Sequence, residues 1–138
     1  MSELIALYGT LMSGLRPRPG APDLSGRIRL IGACHLNGLL YDRGPYPCLV
    51  AGGGRVRGEL WRILTDDALG ILDRWEDYDP QSPADSEYVR RRVRLAQPPL
   101  DAWVYHYNRS TEGLRQIAGG DWREHSGGRT VGERRPGG

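Results

Sequence analysis

Glu76 is the residue of this sequence that is best placed for acid–base chemistry. It belongs to ALGILDRWEDYDP, residues 68–80, a segment with the spacing of an amphipathic helix that runs into a turn. On a helical wheel of about 100° per residue, Glu76 falls inside the apolar arc, between Leu69 and Leu72. If this carboxylate faces a partly dry pocket, its pKa rises towards neutrality, where it serves as a general base or acid. The alternative is a side chain that reaches past the core to water or pairs with an arginine. The charged residues outside the arc are Asp66, Asp67, Asp73, Arg74 and Asp77.

The motif YGTL, residues 8–11, is the second candidate for chemistry. It closes the apolar run LIALYGTL, residues 4–11, which predicts a short buried strand that breaks at Gly9. Glycine lets the backbone turn and approach a ligand closely with its N–H groups bare. The motif alone is a weak signal, because many strands end in this way.

Several other chemistries are excluded or disfavoured by composition and spacing. All 19 basic residues are arginines, so no lysine is available for a Walker P-loop or a Schiff base. The three histidines are far apart and the two cysteines lack metal-ligand spacing, so we expect no metal site. A Ser/His/Asp or Cys/His arrangement stays open, although no nucleophile-elbow motif is present.

Two further patterns have plain structural interpretations. AGGGRVRG, residues 51–58, is rich in glycine but lacks the helix that follows a phosphate loop, so we expect a hairpin loop. RRRVR, residues 90–94, alternates on a strand and predicts a solvated outer face that carries Arg90, Arg92 and Arg94. The net charge of +2 and the lack of interleaved aromatics give no reason to expect a nucleic-acid partner.

The elements that must position these residues are mostly strands. RIRLIGACHL and LLYD read as two strands joined by the turn Asn37-Gly38, and GPYP (44–47) reads as the next turn. CLVA and RVRGELWRIL, residues 48–51 and 55–64, read as further strands. EYVRRRVRLA and DAWVYHYN, residues 87–96 and 101–108, read as a hairpin across QPPL.

One segment is a convincing helix. Thr65 is a suitable N-cap, and Asp66 and Asp67 suit the positive end of the helix dipole. The helix is expected to span residues 66–77 and to stop before Asp79-Pro80, because proline disfavours a helical residue ahead of it.

Six or seven strands and one helix predict an α+β fold, in which a small, mixed and largely antiparallel β-barrel has a flanking helix. The folded domain is expected over residues 1–123. Residues 124–138 are rich in glycine and arginine and are expected to form a weakly ordered tail.

The order of the motifs resembles that of a known family. YGTL is followed in register by GLLYDRGPYPCLV (38–50), VRGELWRI (56–63), LDRWEDYDP with SEYVRRRV (72–93), AWVYHYN (102–108) and IAGGDWR (117–123). Together these segments cover residues 4–123 and resemble the γ-glutamylcyclotransferase-like (AIG2-like) family, in its bacterial branch.

The resemblance implies a fold, an activity and a site. Such proteins are small mixed β-barrels that cyclise a γ-glutamyl amine or peptide to 5-oxoproline and release the amine, without cofactor, metal or protein nucleophile. By this resemblance Glu76 is the general acid/base. The substrate-holding loop is the backbone of Tyr8, Gly9, Thr10 and Leu11, and Tyr88 lines the pocket.

The sequence departs from the family pattern in two places. Thr10 stands where serine is common, and the stretch DYDPQSPADS, residues 77–86, is longer than in compact eukaryotic members. We expect this stretch to form a rim or lid over the pocket, so substrate choice does not transfer.

Two other functions stay open beside the enzyme. One is a non-catalytic small-molecule-binding domain that keeps the pocket. The other is a different reaction in the same pocket, since a relative of this fold occurs in allophanate hydrolase.

The N-terminus has no basic segment, and no apolar run approaches 18 residues. We therefore expect a cytoplasmic monomer or homodimer with no membrane partner.

Overall fold

Six strands and two short helices make up the part of the chain that the structure describes. In a computed structural model, residues 3–126 are described. The strands are β1 (Leu4–Leu7), β2 (Ile28–Asp42), β3 (Pro47–Ile63), β4 (Tyr88–Arg94), β5 (Asp101–Tyr107) and β6 (Arg115–Gln116). The helices are α1 (Ala68–Trp75) and α2 (Trp122–Ser126), and a 3-10 turn spans Pro83–Asp85.

The strands form one curled sheet in the order β4-β5-β1-β3-β2-β6. Only β1 and β5 are parallel, and the other pairs are antiparallel. Beyond β4 the chain bonds to the middle of β2: the His35 N–H donates to the Gln97 carbonyl at 2.7 Å, and the Ala96 N–H donates to the His35 carbonyl at 2.9 Å. These bonds draw the two ends of the sheet together, so the predicted mixed, largely antiparallel barrel is confirmed as a partial barrel.

The turn predicted at Asn37-Gly38 is wrong, because β2 continues through it. Asn37 pairs with Arg55 and Leu39 with Val50, so Gly38 faces four residues of β3, 51–54. This bulge, in which one residue of β2 faces four of β3, accounts for the glycines at these positions. A Cβ on Gly38, whose φ is +154°, would lie 2.7 Å from the Val50 carbonyl oxygen, and one on Gly52 would lie 2.6 Å from the Leu39 side chain.

The AGGGRVRG segment is therefore part of strand β3 and not a hairpin loop. The hairpin between β2 and β3 closes after Asp42 and not at Asn37-Gly38. There the Arg43 N–H donates to the Tyr46 carbonyl at 3.1 Å. This turn overlaps the one predicted at GPYP. The predicted hairpin of β4 and β5 is confirmed, with register from Tyr88 opposite Tyr107 to Arg94 opposite Asp101.

Helix α1 is shorter than predicted at both ends. It begins after Asp67, and Thr65 is no N-cap because its hydroxyl donates to the Asp67 carboxylate at 2.5 Å. It ends at Trp75 because Asp77 adopts the left-handed conformation, with φ of +55°. The Tyr78 N–H then bonds to the Asp73 carbonyl at 2.9 Å and the Asp77 N–H to the Arg74 carbonyl at 3.3 Å. This is a Schellman motif, so the backbone turn and not Pro80 stops the helix.

The two helices cover opposite faces of the sheet. Helix α1 buries Ala68 and Leu72 among side chains that include Ile5 and Tyr105, whereas α2 buries Trp122 in the other apolar cluster. The domain boundary expected after residue 123 falls inside α2. The rest of the expected tail, residues 127–138, lies outside the described residues.

Between residues 3 and 126 no helix has both the length and the apolar character needed to cross a membrane.

Replacing Asp77 with glycine should stabilise the fold. A non-glycine residue in the left-handed region carries a strain of about 1 kcal/mol, which glycine avoids. Because glycine also makes the unfolded chain more flexible, we expect a net gain of about 0.5 kcal/mol in the free energy of unfolding.

Urea denaturation measures this gain, and Asp77→Val is the matched control. Valine is strained at positive φ, so that variant should be less stable than the unchanged protein. A glycine variant that is less stable than the unchanged protein would contradict the strain.

Candidate active site

A cavity of about 160 Å³ lies between the end of β1, the end of α1 and the turn between β2 and β3. It contains all six residues that the sequence singles out, Tyr8, Gly9, Thr10, Leu11, Glu76 and Tyr88. The structure brings them together from three separate parts of the chain. The remaining lining residues are Ala6, Leu7, Arg18, Tyr46, Pro47, Trp75, Glu87 and Tyr105.

The loop that follows β1 lines the cavity and carries backbone N–H groups that bond to no described acceptor. A turn closes it, with the Met12 N–H donating to the Gly9 carbonyl at 3.1 Å. Within residues 3–126, no acceptor takes a hydrogen bond from the N–H of Thr10 or Leu11. Glycine is required at position 9, because a Cβ there would lie 2.9 Å from the Pro47 ring.

A buried carboxylate to which no sequence motif points, that of Glu59, fixes the C-terminal end of this loop. Glu59, on β3, accepts a hydrogen bond from the Ser13 N–H at 2.6 Å and another from the Ser13 hydroxyl. Arg123, on α2, donates to the same carboxylate at 3.0 Å and to the Ser13 carbonyl at 2.5 Å. Helix α2 and strand β3 therefore fix the loop together.

Buried tyrosines form the floor of the cavity. The Tyr8 hydroxyl donates to the Tyr105 carbonyl at 2.6 Å, and the Tyr88 hydroxyl donates to the Pro47 carbonyl at 2.8 Å. Burial raises the pKa of each of these two hydroxyls, and the nearby Glu76 carboxylate raises both further. Both tyrosines are therefore neutral at physiological pH and act as fixed walls.

Asp73 attaches α1 to the sheet, although its place on the wheel predicts a solvent-facing side chain. Asp73 is buried, accepts a hydrogen bond from the Tyr105 hydroxyl at 2.6 Å, and pairs with both Nε and Nη2 of Arg90 at 2.8 and 3.1 Å. The prediction of a solvated face for RRRVR is thus wrong at Arg90, whereas Arg92 and Arg94 are exposed. No local sequence signal identifies this role, because the partners Arg90 and Tyr105 lie 17 and 32 positions further along the chain.

Glu76 lies just past the last turn of α1, half-buried in the cavity wall. No described residue donates a hydrogen bond to its carboxylate or forms an ion pair with it, so the alternative of pairing with an arginine does not apply. Because the side chain is half-buried, the alternative of full exposure to water does not apply either. Desolvation raises its pKa to about 7; the Arg18 charge opposes this rise, and the Glu87 and Asp73 charges add to it. A group that titrates near neutral pH both accepts and donates protons readily.

The rim of the cavity consists of Arg18, Tyr46, Trp75 and Glu87. No sequence motif points to any of these four residues. The Arg18 guanidinium lies between the rings of Tyr46 and Trp75, at 4.8 and 4.9 Å from their centroids. The Tyr46 hydroxyl donates to the Glu87 carboxylate at 2.9 Å, and burial followed by this bond raises its pKa to about 12.

The stretch 77–86 supplies no lining residue, so the rim or lid expected there is wrong. It is fixed instead against the end of β5. The Asn108 side chain donates to the Pro83 carbonyl at 3.0 Å, and the Arg109 guanidinium donates to the Ser86 carbonyl at 2.6 Å.

Other chemistries find little support in residues 3–126. This part of the chain contains no group of three or more His, Cys, Asp or Glu side chains that could hold a metal ion. The two cysteines are buried, and desolvation raises the pKa of Cys34 to about 12 and that of Cys48 to about 11. Both are therefore protonated at neutral pH, which does not suit a thiolate nucleophile.

Comparison with known sequences gives a consistent family match. A family model described as gamma-glutamyl cyclotransferase, AIG2-like, matches residues 5–124. The gamma-glutamylcyclotransferase family protein YtfP of Escherichia coli K12 is 34% identical over 119 residues, which cover 86% of this chain and 94% of that protein.

Solved structures share the fold. The solution structure of Escherichia coli YtfP has a TM-score of 0.64 and 31% identity, and the match covers 89% of this chain and 98% of that one. A mouse AIG2-like protein has a TM-score of 0.67 over 97% of both chains. At 21% identity this second likeness shows the fold alone. The same is true of an allophanate hydrolase from Kluyveromyces lactis, which matches at 15% identity over 21% of its length.

Replacing Glu76 with glutamine should stabilise the protein at alkaline pH. The folded-state pKa of about 7 lies above the ordinary value of 4.5, so the stability contributed by protonated Glu76 is present below pH 4.5 and is lost as the pH rises through 7. Glutamine avoids this loss. At pH 8 the variant should be more stable by about 1–3 kcal/mol, and the difference should shrink towards pH 5.

Urea denaturation at both pH values measures the difference. Glu112→Gln, at an exposed position, is the matched control and should show no such dependence. A Glu76→Gln protein that is less stable than the unchanged one at pH 8 would mean that the carboxylate is favourably paired.

Proposed function

This chain belongs to the gamma-glutamyl cyclotransferase, AIG2-like family, and we propose from its site that it cyclises a γ-glutamyl amine or peptide to 5-oxoproline with Glu76 as general acid/base. The family membership implies an enzyme with a small-molecule substrate. The observation that carries the proposal is the Glu76 carboxylate, which has no hydrogen bond among the described residues and faces the same cavity as the bare N–H groups of Thr10 and Leu11.

The reaction is an internal transfer. A bond forms between the α-nitrogen of the γ-glutamyl unit and its own γ-carbonyl carbon, and the bond between that carbon and the leaving nitrogen breaks. The attacking nitrogen starts as an ammonium and ends as a ring amide, so its protons pass to the leaving nitrogen, and no water is consumed. The protein must supply a proton carrier, donors for the transient oxyanion, and a pocket that folds the substrate so that its ends meet.

Glu76 is the proposed proton carrier. As a carboxylate it takes a proton from the substrate ammonium, which frees the nitrogen to attack. As a carboxylic acid it then gives that proton to the leaving nitrogen, and in a second exchange it passes the other proton that the attacking nitrogen must lose to the departing amine, which leaves as an ammonium. A pKa of about 7 makes both half-reactions accessible at neutral pH, because neither form is strongly favoured.

The loop from Tyr8 to Leu11 is the proposed holder of the substrate's oxygen atoms. Backbone N–H groups that lack a partner and are fixed in place stabilise a developing negative charge without reorganising. The Glu59 network fixes them, because Ser13 lies only two residues after Leu11. The side chains of Tyr8 and Tyr88 give the floor its shape.

The size of the cavity agrees with a γ-glutamyl unit. Since a cavity of about 150 Å³ holds a molecule the size of benzene, the 160 Å³ cavity has room for roughly six to ten non-hydrogen atoms. A γ-glutamyl unit has about nine, so the cavity takes this unit and leaves the released amine near the rim.

Replacing Glu76 with glutamine should abolish 5-oxoproline release. Glutamine keeps the size of the side chain but carries no proton between nitrogens, so kcat should fall by about 10²–10⁴-fold. The measurement is 5-oxoproline formation from a panel of γ-glutamyl amines and peptides, with Glu112→Gln as the matched control.

Retained activity in the Glu76 variant would overturn the proposed role. If the unchanged protein turns over no member of the panel but its Tm rises with one of them, the chain is instead a binding domain of the same fold.

The rate should also report the titration of Glu76. Because the carboxylate form takes the first proton, kcat/KM should rise with pH through an apparent pKa of about 7. A pH series with the best substrate of the panel measures this limb. A rise centred near pH 4.5 would indicate an ordinary solvated carboxylate and contradict the desolvated site.

A further inference from the structure

Arg18 lines the cavity and, among residues 3–126, forms no ion pair and no side-chain hydrogen bond, although its charge acts on Glu76. Its Nε is buried without a hydrogen-bond acceptor, and no described carboxylate forms an ion pair with it. The flanking rings of Tyr46 and Trp75 hold the guanidinium through cation–π contacts. These contacts use the faces of the group and leave its N–H edge available to an anion.

The backbone of Arg18 is held in a tight turn. The Ala21 N–H donates to the Arg18 carbonyl at 3.0 Å, Pro19 follows at the second position, and Gly20 has φ of +81° at the third. These are the features of a type II turn. A guanidinium that is fixed by its own turn and by two rings has little freedom left to lose when it binds a ligand.

The other charges near Arg18 already have roles. Glu87 accepts from the Tyr46 hydroxyl and is 3.4 Å from the Arg43 guanidinium, so Arg43 neutralises it. Glu76 is the proton carrier of the proposed reaction. Among the lining residues, Arg18 is therefore the cation without an assigned anion.

The position of Arg18 indicates which part of a substrate it meets. The floor of the cavity consists of the buried Tyr8, Tyr88 and Tyr105, whereas Arg18, Tyr46 and Trp75 are only partly buried and form its rim. A γ-glutamyl unit whose carbonyl faces the loop and Glu76 fills the floor. Its leaving amine then extends towards the rim and Arg18.

We propose that Arg18 binds a carboxylate on the leaving amine, so that the preferred substrates are γ-glutamyl amino acids or peptides and not γ-glutamyl polyamines. This inference rests on the proposed function. The planar fork of a guanidinium matches a carboxylate with two parallel N–H···O bonds. A polyamine would instead place a second positive charge beside Arg18.

A matched pair of substrates tests the proposal. γ-Glutamylalanine and γ-glutamylethylamine differ only by the carboxylate of the leaving amine. In the unchanged protein kcat/KM should favour γ-glutamylalanine by about 10- to 100-fold, the value of one charge-assisted contact. Arg18→Gln should remove most of this preference, and Arg18→Lys should retain part of it because the charge stays but the fork is lost.

Arg29→Gln is the matched control, since Arg29 is exposed on β2 and lies outside the cavity lining. It removes one positive charge and should keep the full preference. A Tm measurement on each variant separates loss of selectivity from loss of fold. Equal kcat/KM values for the two substrates in the unchanged protein, or an unaltered preference in Arg18→Gln, overturn the proposal.

Binding measurements separate this inference from the proposed function. If neither substrate yields 5-oxoproline, the cyclisation fails, and isothermal titration of Glu76→Gln with the same two compounds decides the role of Arg18. Tighter binding of γ-glutamylalanine that disappears in the double variant Glu76→Gln/Arg18→Gln supports it. Equal binding of the two compounds, or binding of neither, overturns it.

Discussion

The attachment of α1 to the sheet through Asp73 determines the geometry of the site. A helix of eight residues is too short to be stable without tertiary contacts. The Asp73 carboxylate provides such contacts by accepting hydrogen bonds from Tyr105 on β5 and from two nitrogens of Arg90 on β4, whose guanidinium also covers the Trp103 ring at 4.4 Å. With the helix fixed in this way, Glu76 at its C-terminal cap lies in the cavity wall.

A second carboxylate has the corresponding role on the other side of the cavity. Glu59 joins the loop after β1 to α2, as Asp73 joins α1 to β4 and β5. Both of these carboxylates are buried and bound by arginine, whereas Glu76 is bound by no described residue. The fold thus gives hydrogen-bond partners to Asp73 and Glu59 but none among the described residues to Glu76, which is the arrangement that places its pKa near neutrality.

The six residues that the sequence singled out all line one cavity, whereas the strand break predicted at Asn37-Gly38 is wrong. The inward direction of Glu76 follows from helical periodicity, and the β4–β5 hairpin follows from alternation. Asn37-Gly38 has the local chemistry of a turn, but pairing along the whole of β2 and β3 overrides it and the glycines absorb the extra residues as a bulge. Asp73 and Arg18 could not be placed, because their partners are distant in sequence and only the tertiary structure shows which charges are satisfied.

Strand β1 lies at the centre of the sheet, between β3 and β5, although it is the first strand of the chain. Its pairs are remote in sequence: Ile5 is opposite Trp61 on one side and Trp103 on the other. During synthesis the β2–β3 hairpin can close early, but β1 has no second partner until residue 103 has been made. One edge of β1 therefore stays unpaired over that interval, and the cavity-lining loop, which continues from β1, meets Tyr88 and Tyr105 only after those residues have been made.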